Sequence, residues 1–133
     1  MVIRKTYHFY AGHRNKEAGE KCGRLHGHTY DVAVHVAFPN FEGDVAMLFS
    51  DIDKGAEPVI KALDHYLILD SRDPLVPLLR VCHEPFVEVP FVTSAENMAR
   101  HIADLLEDGG LTVSRIELAE TKSSTVIYEP SNQ

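Results

Sequence analysis

The stretch "TYDVAVHVAF", residues 29–38, alternates without interruption: Tyr30, Val32, Val34 and Val36 fall on one side, Asp31 and His35 on the other. Period-two alternation marks an antiparallel strand with one face buried and one face wet. Working outward, residues 2–10 hold Val, Ile, Thr, Tyr and Phe and read as a partner strand. Residues 11–27, rich in Gly, Lys and Glu, read as the loop between the two. Two more strands are expected at 112–120 and 124–129, joined by a tight turn at "KSS".

Two helices complete the pattern. In "FSDIDKGAEPVIKALDHYL", residues 49–67, Ile52, Val59, Ile60 and Leu63 have helical spacing. Pro58 removes an interior hydrogen bond, so this helix is expected to be irregular or to start late, near Gly55. In "TSAENMARHIADLLEDGG", residues 93–110, Thr93 and Glu96 make a capping box and Gly109–Gly110 stop the helix. Met98, Ile102, Leu105 and Leu106 form its apolar stripe. Residues 70–92 are punctuated by proline and suggest only a short turn of helix at 74–80. The order β-β-α-α-β-β predicts an α+β fold, an antiparallel four-stranded sheet with two helices on one face. Its two edges are open to pairing with another chain, so a homo-oligomer is expected.

The bulk numbers bound the function. At 133 residues, 44% hydrophobic and 25% charged, the chain reads as a single domain spanning 1–133, without internal repeats. No apolar run approaches the ~20 residues of a membrane span, and "MVIRKTYHFY" has no secretory signature, so a cytoplasmic protein without a membrane partner is expected. A formal charge of −7 with scattered Lys and Arg argues against nucleic acid, yet leaves room for a small anionic substrate. Cys22 and Cys82 are expected to stay unpaired in a reducing compartment, Cys82 as a small, partly buried hydrophobe.

The chemistry concentrates in "CGRLHGH", residues 22–28. His26 and His28 are two apart and project to one face. His13, where the first strand runs out, can join them if the two strands form a hairpin. Three imidazoles with no thiolate leave a coordination position open, as in catalytic zinc sites. Cys22 either closes a structural site or is a reactive thiol activated by Lys21, Arg24 and the cation. Asp64–His65 reads as a solvated helix end or as a carboxylate-held imidazole for proton transfer.

"FYAGH", "CGRLHGHTYDV", "LDH", "SAENMA" and "AETKSSTVIYE" occur in an order that resembles the 6-pyruvoyltetrahydropterin synthase / 6-carboxytetrahydropterin synthase family, over residues 7 to 129. "CGRLHGH" is particularly similar to the queuosine-pathway branch. The resemblance implies a tunnelling fold, in which three subunits join their sheets into a barrel and two trimers stack into a hexamer. It makes His13, His26 and His28 ligands of Zn2+ and Cys22 the catalytic thiol. Asp64 and His65 become relay partners acting across a subunit interface. Glu120 becomes the carboxylate that anchors the pterin, accepting two N–H bonds from its guanidine-like edge; without the resemblance it reads as an exposed strand-end glutamate. Glu96 and Arg24 are further substrate contacts, Arg24 alternatively being a solvated loop arginine.

The implied activity is a zinc-dependent lyase that converts 7,8-dihydroneopterin triphosphate to 6-carboxy-5,6,7,8-tetrahydropterin with loss of acetaldehyde and triphosphate. The alternatives are the pyruvoyl-forming reaction, which eliminates triphosphate only, and a non-catalytic zinc-stabilised domain. The sequence departs from the family pattern in places. Thr93–Ser94 replaces a usual Pro-Thr, Ala56 falls near the place of a helix lysine with Lys54 close by, Leu69 replaces an asparagine after "LDH", and 70–92 is a longer insertion.

Overall fold

Strands β1 (Val2–His13) and β2 (His26–Ala37) form an antiparallel hairpin in which His13 lies opposite His26 and Ala11 opposite His28. The computed structural model describes residues 1–130 of the chain. Both strands reach further into the expected loop than composition suggests, leaving only residues 14–25 outside them. Gly12 and Gly27 hide the strand signal, because glycine is a poor strand former, yet they pair with each other in register. A Cβ on Gly12 would stand 3.1 Å from Leu67 Cδ1, so the glycine lets another strand lie close.

That neighbour corrects the expected four-stranded antiparallel sheet. The sheet has six strands in the order β4-β3-β1-β2-β5-β6 and is mixed. β3 (Tyr66–Asp70) runs parallel to β1, and β4 (Val87–Val89) runs parallel to β3. β5 (Val113–Thr121) and β6 (Ser124–Tyr128) form the expected antiparallel hairpin on the other side. Ile68 and Leu69 of β3 are both buried, so this short strand has no alternation to read.

Helix α1 (Phe49–Leu63) continues through Pro58, against the expectation of a late start. Pro58 sits on the exposed side of the helix and so does Lys54, whose carbonyl loses its partner there and can turn to water. The buried stripe Ile52, Ala56, Ile60 and Leu63 offsets that loss. Helix α2 (Leu75–Val81) is the short helix expected near 74–80. Helix α3 (Ala95–Asp108) is capped by Ser94, whose Oγ accepts the Asn97 N–H at 3.3 Å, and not by Thr93. Thr93 is fully buried and its hydroxyl donates to the Arg14 carbonyl instead.

α1 packs on β1, and α3 on β5 and β6. Between helices and sheet lie Phe9 stacked on Tyr30 at 4.8 Å, with Ile52, Leu63, Met98, Ile102, Leu106, Ile116 and Leu118. Each such fully buried side chain contributes about 1.5–3 kcal/mol. Ala56 and Leu69, two of the departures expected from the family resemblance, are core residues here. The other face of the sheet carries polar groups, among them Arg4 and His35, which share Glu117 at 3.2 and 2.6 Å. No helix among the described residues is long and apolar enough to cross a membrane.

Candidate metal centre

The hairpin register sets His13, His26 and His28 on the core face at its loop end, beyond Phe9 and Tyr30. Their ring centroids are 4.7, 5.1 and 4.8 Å apart, and one nitrogen from each lies within 4.8 Å of the other two. Two tautomers follow from the partners. His13 Nδ1 lies 2.7 Å from the Thr93 carbonyl and His26 Nδ1 2.7 Å from the Arg24 carbonyl. A carbonyl only accepts, so both Nδ1 atoms carry the proton and both Nε2 lone pairs are free. Such outer hydrogen bonds are how metal-binding histidines are oriented.

His13 Nε2 and His28 Nε2 are buried without a hydrogen-bond partner. Glu120 Oε2 stands 2.8 Å from His28 Nε2 and 3.7 Å from His13 Nε2, close to both but in hydrogen-bond geometry with neither. Burial pushes the pKa of both His13 and His28 below the ordinary histidine value, against the opposing pull of Glu120. Neutral imidazoles with orphaned, converging lone pairs are what a divalent metal such as zinc requires, so the residues present fit the group. Glu120 reaches this face because β5 alternates Ile116, Leu118, Glu120 inward, with the β5–β6 register shifting beside it. Its charge, after burial, helps to keep Tyr30 protonated.

The loop 14–25 that joins the strands is folded on itself. Asn15 N–H donates to the Cys22 carbonyl at 2.7 Å and Gly23 N–H to the Gly19 carbonyl at 2.9 Å. Gly23 is required there, since a Cβ would stand 2.9 Å from the Gly19 oxygen. Cys22 is exposed with a free thiol, and so is Cys82, at the end of α2, against the expected partial burial. Cys22 stands apart from the histidines. Among the described residues Cys22 does not join the metal-binding group, which is the three histidines alone. Arg24 is paired with Glu20 at 3.1 Å and both are solvated. Glu96 lies exposed on the first turn of α3 and makes no hydrogen bond or ion pair among the described residues.

Asp64 and His65 sit at the end of α1. Asp64 Oδ1 accepts the Tyr10 N–H at 2.9 Å, its Oδ2 stands 2.8 Å from His65 Nδ1, and His65 N–H donates to the Tyr10 carbonyl at 2.6 Å. The Tyr10 N–H, then His65, hold the Asp64 carboxyl below the usual carboxylate range. His65 has φ +66°, a left-handed conformation that costs a non-glycine residue about 1–3 kcal/mol and is held by these bonds. Its ring packs on Tyr10 at 5.5 Å. Tyr10 is out of phase with His13 along β1, so the Asp64–His65 pair and the three imidazoles occupy opposite faces of the sheet.

Sequence reasoning missed Thr93, the buried residue whose carbonyl orients His13. A signal existed in "TS", residues 93–94: a helix needs one capping hydroxyl, and the second was free for another purpose. The Arg14–Asp73 pair was missed as well, because nothing local links residues so far apart.

Comparison with known proteins adds to this geometry. The family model described as 6-pyruvoyl tetrahydropterin synthase matches residues 2–131. A 6-carboxy-5,6,7,8-tetrahydropterin synthase of Haemophilus influenzae is 33% identical, covering 96% of this chain and 97% of its own. One of Aquifex aeolicus is 30% identical, covering 96% of both. Among solved structures, an uncharacterized Wolinella succinogenes protein superposes with a TM-score of 0.80 at 24% identity, covering 97% of both chains. The Caenorhabditis elegans 6-pyruvoyl tetrahydropterin synthase does so with 0.70 at 19%, covering 97% of this chain and 94% of that one; these two likenesses concern the fold alone. With a family model matched along nearly the whole chain and relatives of this identity, the chain belongs to the 6-pyruvoyl tetrahydropterin synthase family.

Proposed function

We propose that this chain, acting as one pterin-binding domain, is a zinc-dependent lyase converting 7,8-dihydroneopterin triphosphate and one water to 6-carboxy-5,6,7,8-tetrahydropterin, with release of acetaldehyde and triphosphate. The observation that carries the reading is the triangle of His13, His26 and His28, with the orphaned Nε2 atoms of His13 and His28. The curated relatives named 6-carboxy-5,6,7,8-tetrahydropterin synthase support the choice of product. Zinc held by the three imidazoles would act as a Lewis acid on the side-chain hydroxyls of the substrate and ease loss of the adjacent proton.

The chain's own residues do the rest. Cys22, as thiolate, removes a side-chain proton from the substrate. Asp64 orients His65, which moves protons on the far side of the substrate. Since the pair lies across the sheet from its own histidines, it serves the site of a neighbouring subunit, within a hexamer built as a dimer of trimers. Glu120 accepts paired N–H bonds from the pterin edge, and its inward placement beside His28 supports that role. Arg24 and Glu96 are outer contacts to the substrate. Two free cysteines suit a reducing compartment, the cytoplasm.

The test is direct: incubate zinc-loaded protein with dihydroneopterin triphosphate and identify the products by mass. Acetaldehyde with a carboxylated pterin supports the reading. Triphosphate without acetaldehyde transfers it to the pyruvoyl-forming reaction, and an unchanged substrate sinks both.

A further inference from the structure

Arg14 follows His13 directly, and its side chain turns inward. Its guanidinium grips the Asp73 carboxylate with two prongs, Nε to Oδ2 at 2.7 Å and Nη2 to Oδ1. The two side chains are only 15% and 9% exposed. The nearby pairs Arg72–Asp70 and Arg80–Glu88 differ, with their arginines 73% and 59% exposed. Exposed pairs contribute little, whereas a shielded fork on a carboxylate holds a defined geometry. Asp73 Oδ1 also accepts the Leu75 N–H at 2.9 Å, which ties it to the first turn of α2.

Thr93 grips the same place from another side. Its carbonyl orients His13 at 2.7 Å, and its hydroxyl donates to the Arg14 carbonyl at 3.3 Å. Asp73 and Thr93, near the two ends of segment 70–92, therefore hold the last residue of β1 and the first residue of the loop from two sides. Asn15, next in line, closes the loop by donating to the Cys22 carbonyl.

We propose that Arg14 and Asp73 are a positioning pair, through which the 70–92 insertion anchors the root of the Cys22 loop and fixes it relative to the three imidazoles. Neither residue belongs to the group of three imidazoles that could hold a metal. A lysine at position 14 keeps the charge but lacks the fork, so it cannot replace the pair's geometry. The kinetic arm of the test rests on Cys22 as the reacting thiol; the other arm does not.

The experiment compares zinc-loaded Asp73→Asn, Arg14→Lys and the double variant with the parent by amide hydrogen exchange and steady-state kinetics. The Asn15 and Gly23 amides, which close the loop, are expected to exchange about tenfold faster in each single variant, with β5 and β6 unchanged. The double variant should be no faster than the faster single, since partners in one interaction are not additive. The kcat should fall about tenfold with KM and zinc content nearly constant, the mark of a reacting group displaced after binding. Loop amides that exchange as in the parent overturn the inference, as do additive effects or a loosening spread over the whole sheet. If Asp73→Asn does not fold, Arg14→Lys alone decides on the same loop amides. A parent without turnover would remove the functional reading and leave the exchange result standing.

Discussion

His13 donates its Nδ1 proton to the Thr93 carbonyl across 2.7 Å, joining a strand end to a helix entry 80 residues later. This bond aims Nε2 at the other two imidazoles, and the Thr93 hydroxyl, 3.3 Å from the same nitrogen, steadies the arrangement through Arg14. Thr93→Val keeps the carbonyl and loses the hydroxyl. It is expected to fold and to bind zinc about tenfold more weakly, the lower end of outer-shell effects, as read by competition with a chromogenic chelator. Unchanged affinity would confine the threonine to packing.

Zinc content separates ligands from thiol. His28→Ala should lose most of the bound metal after dialysis, whereas Cys22→Ala should retain one zinc per chain, both measured by mass spectrometry of the metal. A Cys22→Ala protein that also emptied would mean that the sulfur closes the site, the structural-zinc reading.

Cys22→Ala should still bind a pterin and lose turnover by roughly 10²–10⁴-fold, the usual contribution of a positioned acid or base. His65→Ala should be impaired as well. Because the Asp64–His65 pair and the histidine triangle lie on opposite faces of the sheet, mixing the two inactive variants under conditions of subunit exchange should restore part of the activity. No recovery in mixed oligomers would place both groups in one chain's site.

Glu120→Ala should weaken pterin binding by about ten- to a hundredfold, the range for a lost hydrogen bond to a charged group. Fluorescence titration with a pterin checks it. Equal affinity in variant and parent would return Glu120 to the role of a charge balancing His28.

Acidification should destabilise the metal-free protein from about pH 6.5 downward. His13 and His28 take up protons at an ordinary value of 6.5 when unfolded and at a lower pH when folded, chiefly because of burial. Below 6.5 the unfolded chain therefore holds more protons, so stability falls as pH falls through this window and is fully present above it. Thermal melts in EDTA should show a falling Tm over that range, with a shallower slope in His13→Gln. A Tm that stays level down to the acid end would contradict the burial of two neutral imidazoles.

The local code sufficed for the elements that alternate. "TYDVAVHVAF" is a strand wherever it is placed, because one face of it must leave water, and "NMARHIADLL", residues 97–106, is a helix for the same reason at another period. The shared face of His26 and His28 is likewise local geometry, as is the turn that closes β5 on β6. Tertiary structure decided what no short window contains. β3 has Ile68 and Leu69 covered together, so it shows no period, and its close approach to β1 is eased by the missing Cβ of Gly12. The choice of Ser94 over Thr93 as the cap was settled by His13 and Arg14, which claim the carbonyl and the hydroxyl of Thr93. Asp64–His65 is adjacent to nothing in the sequence that says which face it serves; the phase of Tyr10 along β1 determines that. Hydrophobic periodicity is a property of neighbours, whereas a metal centre and its supports are contacts between distant segments that exist only once the core has closed.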